Sequence, residues 1–246
     1  MNRLFTFGCS FTRYVWPTWA DILGKEFDYY ENWAKTAAGN QFIFNSLIEA
    51  NIRNNFSDND TVIIMWSSIY RDDRYLNGKW IVRGEDVKKL NDNRGYLIRD
   101  LAIITSTLEL LKYWKVKYHF LSVTPLDAID HCGECSDGVK RTVPLDQEVI
   151  DLYASTIKNI KPSAYEVIFN FNWESRPVLV QNKYKRIDFH PLPLEHLEYI
   201  EKILPEYSIS ASTRKWAEHV DLQAKQLRQP YSDTWPPYDH EPKKRF

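Results

Sequence analysis

Three side chains near the two ends of this sequence have the types that nucleophilic catalysis needs. Ser10 comes shortly after an apolar stretch, Arg3–Phe7, whereas Asp188 and His190 lie two residues apart near the other end. A serine hydroxyl becomes a nucleophile when a histidine takes its proton and a carboxylate orients that histidine. These residues therefore predict acyl-transfer chemistry at Ser10, with His190 as the base and Asp188 as its orienting group.

The elements that must bring these residues together alternate between strand and helix patterns. Thr61–Trp66 is a continuous apolar run, typical of a buried parallel strand, and Gln41–Asn54 repeats apolar residues at helical spacing. This alternation predicts an α/β fold: a three-layer α/β/α sandwich with a flavodoxin-like, mainly parallel five-stranded sheet. The least distinct strand is the fifth, which we place at Glu166–Phe169 among loops. Residues 1–212 are expected to form this domain, and residues 213–246 a peripheral C-terminal tail that packs on the domain or on a partner.

The ends of the first three predicted strands should meet at one edge of the sheet. Ser10 follows the first strand, Gly39 the second, and Ser67 and Ser68 the third. Ligands of open parallel sheets bind beyond the carboxyl ends of the strands. We therefore expect the N–H groups of Ser10 and Gly39 to face a developing oxyanion, with the side-chain amide of Asn40 as a further donor.

Three segments resemble sequence blocks of the SGNH (GDSL-type) hydrolases. Phe7–Phe11 is similar to the first block, Asn32–Asn40 to the second, and Asp188–Pro191 to the fifth. The resemblance covers roughly residues 1–70 and 185–205. It implies that Ser10 is the nucleophile, that Asp188 and His190 complete a triad, and that the Gly39 N–H donates to the oxyanion.

The sequence departs from that family in two blocks, and the pair Asp188–His190 is spaced one residue closer than usual. Cys9 stands where the family has aspartate, and the third block, which usually supplies an asparagine donor, reads Trp66–Ile69 here. Ser68 is the nearest counterpart of that asparagine, and Ser68, Asn40 and Arg71 are the candidates to replace it. Loss of one such donor can cost about 10²- to 10³-fold in rate. Arg71 has two further interpretations, a ligand for an anionic substrate group or part of a solvated charge cluster.

The resemblance implies a serine esterase that hydrolyses a small acyl (acetyl) ester through an acyl-enzyme, without a metal or other cofactor. A carbohydrate ester is one expected substrate, since family members often act there. The aromatic content, 9 Trp, 15 Tyr and 12 Phe, fits a carbohydrate-facing surface but also a core or subunit contact. Two alternatives remain: a catalytically weakened scaffold with a binding or structural role, and an O-acyltransferase that uses the same three residues.

Two other groups of residues compete for a chemical role. His196 is a second potential base, although its position at the start of an apolar helix favours capping or packing. The segment His131–Cys135 contains Cys-x-x-Cys, but a structural zinc site usually has four ligands. We interpret these two cysteines as incidental thiols, with a zinc site or a redox pair as alternatives.

Composition narrows the class of protein. The formal net charge is −1, so the chain lacks the basic character of a nucleic-acid-binding protein. It has no run of eighteen apolar residues and no apolar leader after Met1, which predicts a cytoplasmic protein without a membrane span. Three cysteines agree with a reducing compartment. A homo-oligomer joined through aromatic contacts is compatible with this composition.

Overall fold

Strands and helices alternate along the chain in this computed structural model. The structure describes residues 1–69, 71–76, 79–83, 93–126, 130–132, 141–143, 146–170, 179–181, 184–186 and 190–227. The strands are β1 (Arg3–Phe7), β2 (Tyr29–Asn32), β3 (Asp60–Trp66), β4 (Asp72–Leu76), β5 (Lys79–Arg83), β6 (Lys117–Ser122), β7 (Asp130–Cys132), β8 (Arg141–Val143), β9 (Leu179–Gln181) and β10 (Tyr184–Arg186). The helices are α1 (Trp19–Gly24), α2 (Asn40–Asn54), α3 (Asn93–Trp114), α4 (Gln147–Leu152), α5 (Ala154–Ile157), α6 (Ala164–Val167), α7 (Pro193–Ile203) and α8 (Ala211–Leu227).

The central sheet contains four parallel strands in the order β2–β1–β3–β6. β3 lies between β1 and β6, and all seven of its residues are buried. A strand covered on both faces needs apolar side chains at every position, which is why its sequence is a continuous run and not an alternating one. The strand order is that of a flavodoxin-like sheet, so the predicted α/β class is confirmed.

Helices cover both faces of this sheet and make three layers. Leu4, Ile63 and Met65 face one apolar cluster with helices α1 and α7. Phe5 and Val62, the sequence neighbours of Leu4 and Ile63, face a second cluster with helices α2 and α3. Side chains alternate between the two faces because successive Cβ atoms of a strand point in opposite directions. No helix in the described ranges has both the length and the apolar character that crossing a membrane requires.

The segment expected to form the fifth strand, Glu166–Phe169, is the end of a short helix followed by a turn. Helix α6 covers Ala164–Val167, and Ser163 caps its first turn. The Ser163 hydroxyl accepts a hydrogen bond from the Glu166 N–H at 3.2 Å, and the Glu166 carboxylate accepts one from the Ser163 N–H at 2.7 Å. This reciprocal capping box favours a helix over the strand that the apolar residues indicated. Beside β6, a single parallel bridge joins Phe120 to Ile160 in place of a full strand.

Two regions contain regular structure that the sequence pattern did not indicate. β4 and β5 form an antiparallel hairpin, and no strand was predicted at these residues. Helix α8 (Ala211–Leu227) begins two residues before the predicted tail, continues through the first part of it and buries Ala217 and Ala224. The rest of that tail, residues 228–246, lies outside the described residues, and the domain boundary at residue 212 stays a prediction.

Candidate active site

Ser10 lies in a tight turn directly after β1. The Cys9 carbonyl accepts hydrogen bonds from the N–H groups of Thr12 at 3.0 Å and Arg13 at 3.1 Å, which closes the turn around Ser10. Ser10 is 5% exposed. Within the described ranges, neither its N–H nor its hydroxyl forms a hydrogen bond to another residue. Both groups are therefore available to a substrate at the carboxyl end of the sheet.

Gly8 gives this turn the space it needs. A Cβ atom at position 8 would lie 2.1 Å from the Thr12 Oγ1 and 2.8 Å from the Thr12 Cβ. Both distances are shorter than van der Waals contact, so the turn can fold back on β1 only over a glycine. The glycine before Ser10 is thus required by a close approach within the loop.

His190 lies beside the same loop, although it is far from it in sequence. Its ring stacks on that of Tyr14, with centroids 3.6 Å apart and planes at 14°, and lies 5.4 Å from the ring of Phe11. The structure therefore brings the predicted base to the segment that carries Ser10. Asp188, the predicted orienting carboxylate, lies outside the described residues, and the triad as a unit stays a prediction.

The Gly39 N–H, a predicted oxyanion donor, already has a partner. Gly39 precedes helix α2, and its N–H donates to Oδ1 of Asp73 at 2.9 Å, while the Phe42 N–H donates to Oδ2 at 2.9 Å. Asp73 is on β4, so the hairpin delivers a buried carboxylate to the first turn of α2. Negative charge is favourable there because the helix dipole and the unpaired N–H groups both attract it. In this conformation Asp73 occupies the Gly39 N–H that an oxyanion would use.

The side chain of Asn40 also has its hydrogen bonds satisfied within the protein. Its amide nitrogen donates to the Ser67 carbonyl at 3.1 Å and to Oδ2 of Asp100 at 2.8 Å. Its amide oxygen accepts from the Ser67 N–H at 2.8 Å. Asn40 thereby joins the start of α2 to the end of β3 and to α3. Since both amide hydrogens are taken, a donor role toward substrate would require one of these buried bonds to break.

Arg71 and Ser68 lie near this network. The Arg71 guanidinium donates to the Ala38 carbonyl at 2.9 Å, and the Arg71 carbonyl accepts from the Arg99 guanidinium at 2.8 Å. Arg71 is half-buried and holds the loop before Gly39 in place. Ser68, also partly exposed, follows the end of β3. Binding of substrate by either residue stays a prediction.

Two buried carboxylates, Asp73 and Asp100, are functional candidates that were not predicted from the sequence. Burial raises the pKa of Asp100 to about 6, although hydrogen bonds from Arg99 and Asn40 oppose the shift. Burial also raises the pKa of Asp73, against hydrogen bonds from the Phe42 and Gly39 N–H groups. A signal for Asp100 was present, since it lies at helical spacing between Leu97 and Ile104 on the apolar face of α3. Asp73 lies in the charged run that includes Arg71 and that one interpretation made a solvated cluster. For Asp73 this interpretation is wrong, since its carboxylate is buried against the N–H groups of Gly39 and Phe42.

The raised pKa of Asp100 predicts a pH-dependent stability. A carboxyl group whose pKa is higher in the folded than in the unfolded protein stabilises the fold below the unfolded value near 4, and this contribution disappears as pH rises through about 6. For Asp100 the loss should be on the order of 2 to 3 kcal/mol, since one pKa unit corresponds to about 1.4 kcal/mol. Asp100→Asn should flatten the free energy of unfolding between pH 4 and 7, as measured by urea denaturation. Glu49→Gln, on the exposed side of α2, is the control, and an unchanged slope in Asp100→Asn would contradict the assignment.

The structure describes His196, the second potential base, but only part of the Cys-x-x-Cys segment. His196 is 1% exposed in helix α7, which places it in the protein interior. Of the Cys-x-x-Cys segment, Cys135 and the side chains of His131 and Cys132 lie outside what the structure describes. In the described ranges, no group of three or more His, Cys, Asp or Glu side chains is arranged to hold a metal ion.

No protein-family model and no curated protein sequence matches this chain. Solved structures similar to it include a lipolytic protein of the G-D-S-L family from Veillonella parvula, at 15% identity and a TM-score of 0.45, with 81% of this chain and 96% of that chain covered. A psychrotrophic esterase from Pseudoalteromonas is similar at 7% identity and a TM-score of 0.48, with coverages of 84% and 98%. A carbohydrate esterase, described as having catalytic and non-catalytic binding functions in its active site, is similar at 10% identity and a TM-score of 0.40, with coverages of 86% and 70%. The structural neighbours of this chain are thus GDSL-family and esterase structures at low sequence identity.

Proposed function

We propose that this protein is a serine esterase of the SGNH type that hydrolyses a small acyl ester. The observation that carries this proposal is the meeting of two distant segments: the His190 ring stacks on Tyr14, in the loop that begins with Ser10. Acyl transfer needs a serine hydroxyl within reach of a histidine. Two observations support this: Ser10 is buried at the carboxyl end of a parallel sheet, and His190 contacts Phe11 and Tyr14 of the same loop.

The proposed reaction proceeds in two steps through an acyl-enzyme. The Ser10 Oγ attacks the ester carbonyl while His190 takes the hydroxyl proton, and the C–O bond to the alcohol then breaks as His190 returns that proton to the alcohol. Water attacks the acyl-enzyme in the second step, giving its proton to His190 and then to Ser10 as the carboxylic acid leaves. Asp188 keeps the imidazole in the tautomer that can accept the proton. This scheme needs no metal or organic cofactor.

The oxyanion of both steps would be held by backbone N–H groups. The Ser10 N–H is available for this role, whereas the Gly39 N–H contributes only if the Asp73 carboxylate moves away. Each donor of this type can contribute about 10²- to 10³-fold to the rate. The proposal therefore includes displacement of Asp73 as substrate binds, and it allows a low basal activity in the conformation described above.

The proposed substrate class is an acetyl or similarly small ester, with carbohydrate-borne acetyl groups as the first candidates. This choice follows the family resemblance and the carbohydrate esterase among the similar structures. An acetylated sugar panel, assayed by acetate release, would identify the carrier. A parallel assay with an added alcohol acceptor would reveal an O-acyltransferase, because acyl transfer to the acceptor would then exceed release of free acid.

A fluorophosphonate probe tests the proposal directly, because it forms a covalent bond only with an activated serine. We expect stoichiometric labelling of the wild-type protein at Ser10, together with hydrolysis of p-nitrophenyl acetate. Ser10→Ala should abolish both, and Ser67→Ala, which removes a buried hydroxyl at the end of β3, should abolish neither. Absence of labelling and hydrolysis in the wild type would defeat the esterase proposal.

A second function, ligand binding by a catalytically weakened scaffold, is favoured by one observation. The Gly39 N–H is held by Asp73, and Ser68 replaces the asparagine donor of the third block, so two of three oxyanion donors are lost or occupied. A protein of this kind would bind an acetylated ligand without turning it over. Saturable binding by the unlabelled wild type, with no acid released, would support this second function.

A further inference from the structure

We propose that Tyr14 and Trp16, supported by helix α8, are positioning residues for the imidazole of His190. The catalytic value of this support rests on the proposed function, since it depends on His190 being the base. The contacts that hold the His190 ring are present in the structure whether or not His190 is a catalytic base. It involves three successive contacts that link the His190 segment to the loop after β1 and to the C-terminal helix.

The first contact is the parallel stack of Tyr14 on His190, at 3.6 Å and 14°. Tyr14 is 8% exposed, so its own ring is held by packing. The hydrogen bonds of an imidazole lie in the plane of the ring, through its two nitrogens. A neighbour stacked on the face therefore restricts tilting of the ring and does not lie in the plane in which the nitrogens form their hydrogen bonds.

The second contact fixes the backbone next to His190. The Trp16 indole N–H donates to the Pro191 carbonyl at 2.7 Å, and Trp16 is 4% exposed. The Trp16 ring also packs edge-on against Tyr14, with centroids 4.7 Å apart and planes at 78°. Trp16 thus contacts both the Tyr14 ring that stacks on His190 and the backbone of Pro191, which follows His190. These two contacts hold the Tyr14 ring and the His190 segment in a fixed relative position.

The third contact is made by helix α8. Ala224 is 1% exposed and belongs to the same apolar cluster as Tyr14 and Trp16. One turn earlier, the buried carboxylate of Asp221 accepts a hydrogen bond from the Leu194 N–H at 3.1 Å and pairs with Lys225 at 2.8 Å. Helix α8 thus supports the aromatic pair and also holds the chain just after His190.

Such support matters because a general base must lie within hydrogen-bond reach of the proton it removes. A displacement of about 1 Å can cost on the order of 10²-fold in rate. We expect Tyr14→Leu to lower kcat by about that factor while KM stays near the wild-type value. Tyr14→Phe keeps the ring and should keep kcat, which separates stacking from any effect of the hydroxyl.

A readout independent of activity is provided by NMR of isotope-labelled histidine side chains. The chain has 6 histidines, and His190 is assigned by the signal missing in His190→Gln. In the wild type, protons of a ring stacked on Tyr14 should resonate upfield of exposed histidine protons. This shift should disappear in Tyr14→Leu and persist in Tyr14→Phe, and Trp16→Phe, which removes only the N–H donor and part of the ring, should alter it.

The contribution of helix α8 is tested by two substitutions on opposite faces of the helix. Ala224→Leu overpacks the cluster and should displace Tyr14, shifting the His190 signals. Leu222→Ala, at a position 61% exposed, should leave them unchanged. Unshifted His190 protons in the wild type, or identical His190 signals in Tyr14→Leu and Tyr14→Phe, would overturn the proposal. Because these signals need no turnover, they decide the positioning role even if the fluorophosphonate experiment rejects the esterase.

Discussion

Replacing His190 with glutamine is expected to lower the kcat for p-nitrophenyl acetate by on the order of 10⁴-fold or more and to abolish rapid fluorophosphonate labelling. Glutamine has similar size and polarity but cannot take a proton from Ser10. The substitution should leave thermal unfolding, followed by circular dichroism, close to that of the wild type, because His190 is only partly buried.

His196→Gln is the matched control for that experiment. His196 is 1% exposed within helix α7, so its substitution should lower stability and leave kcat within a few-fold of the wild type at a temperature where the variant is folded. The reverse result, loss of turnover in His196→Gln with retention in His190→Gln, would show that the base had been assigned to the wrong histidine.

Removing the Asp73 carboxylate should increase activity and decrease stability. Asp73→Ala releases the N–H groups of Gly39 and Phe42, and loss of a helix-capping partner costs about 1 kcal/mol. If the Gly39 N–H is an oxyanion donor, its release should raise the rate of fluorophosphonate labelling and kcat. The increase should reach at most about 10²- to 10³-fold, the value of one such donor.

Ser163→Ala separates the two effects of the Asp73 substitution. Ser163 caps helix α6 through the Glu166 N–H, so its loss should have a similar cost in stability. We expect Ser163→Ala to leave the labelling rate unchanged. A fall in labelling in Asp73→Ala, beyond that of Ser163→Ala, would mean that Gly39 serves as a helix cap and not as an oxyanion donor.

The fold could be predicted because strands and helices leave patterns among residues that are close in sequence. The buried run of β3 and the apolar face of α2 predicted their elements to within one or two residues, because burial on both faces and helical periodicity leave local traces. The prediction of the fifth strand was wrong for a reason that is also local in sequence. Glu166–Phe169 has the residue types of a strand, yet the capping box that begins at Ser163 stabilises a helical turn.

Sequence by itself determined which groups come to one edge of the sheet. Ser10 and Gly39 follow parallel strands, and the carboxyl ends of such strands must lie side by side. Only the tertiary structure decided what these groups contact. Asp73 reaches Gly39 across 34 residues, and Trp16 reaches Pro191 across 175. These partners depend on how segments that are far apart in sequence pack together in the fold. Local periodicity reports which side of a strand or helix is buried, but it holds no information about which distant residue will cover it.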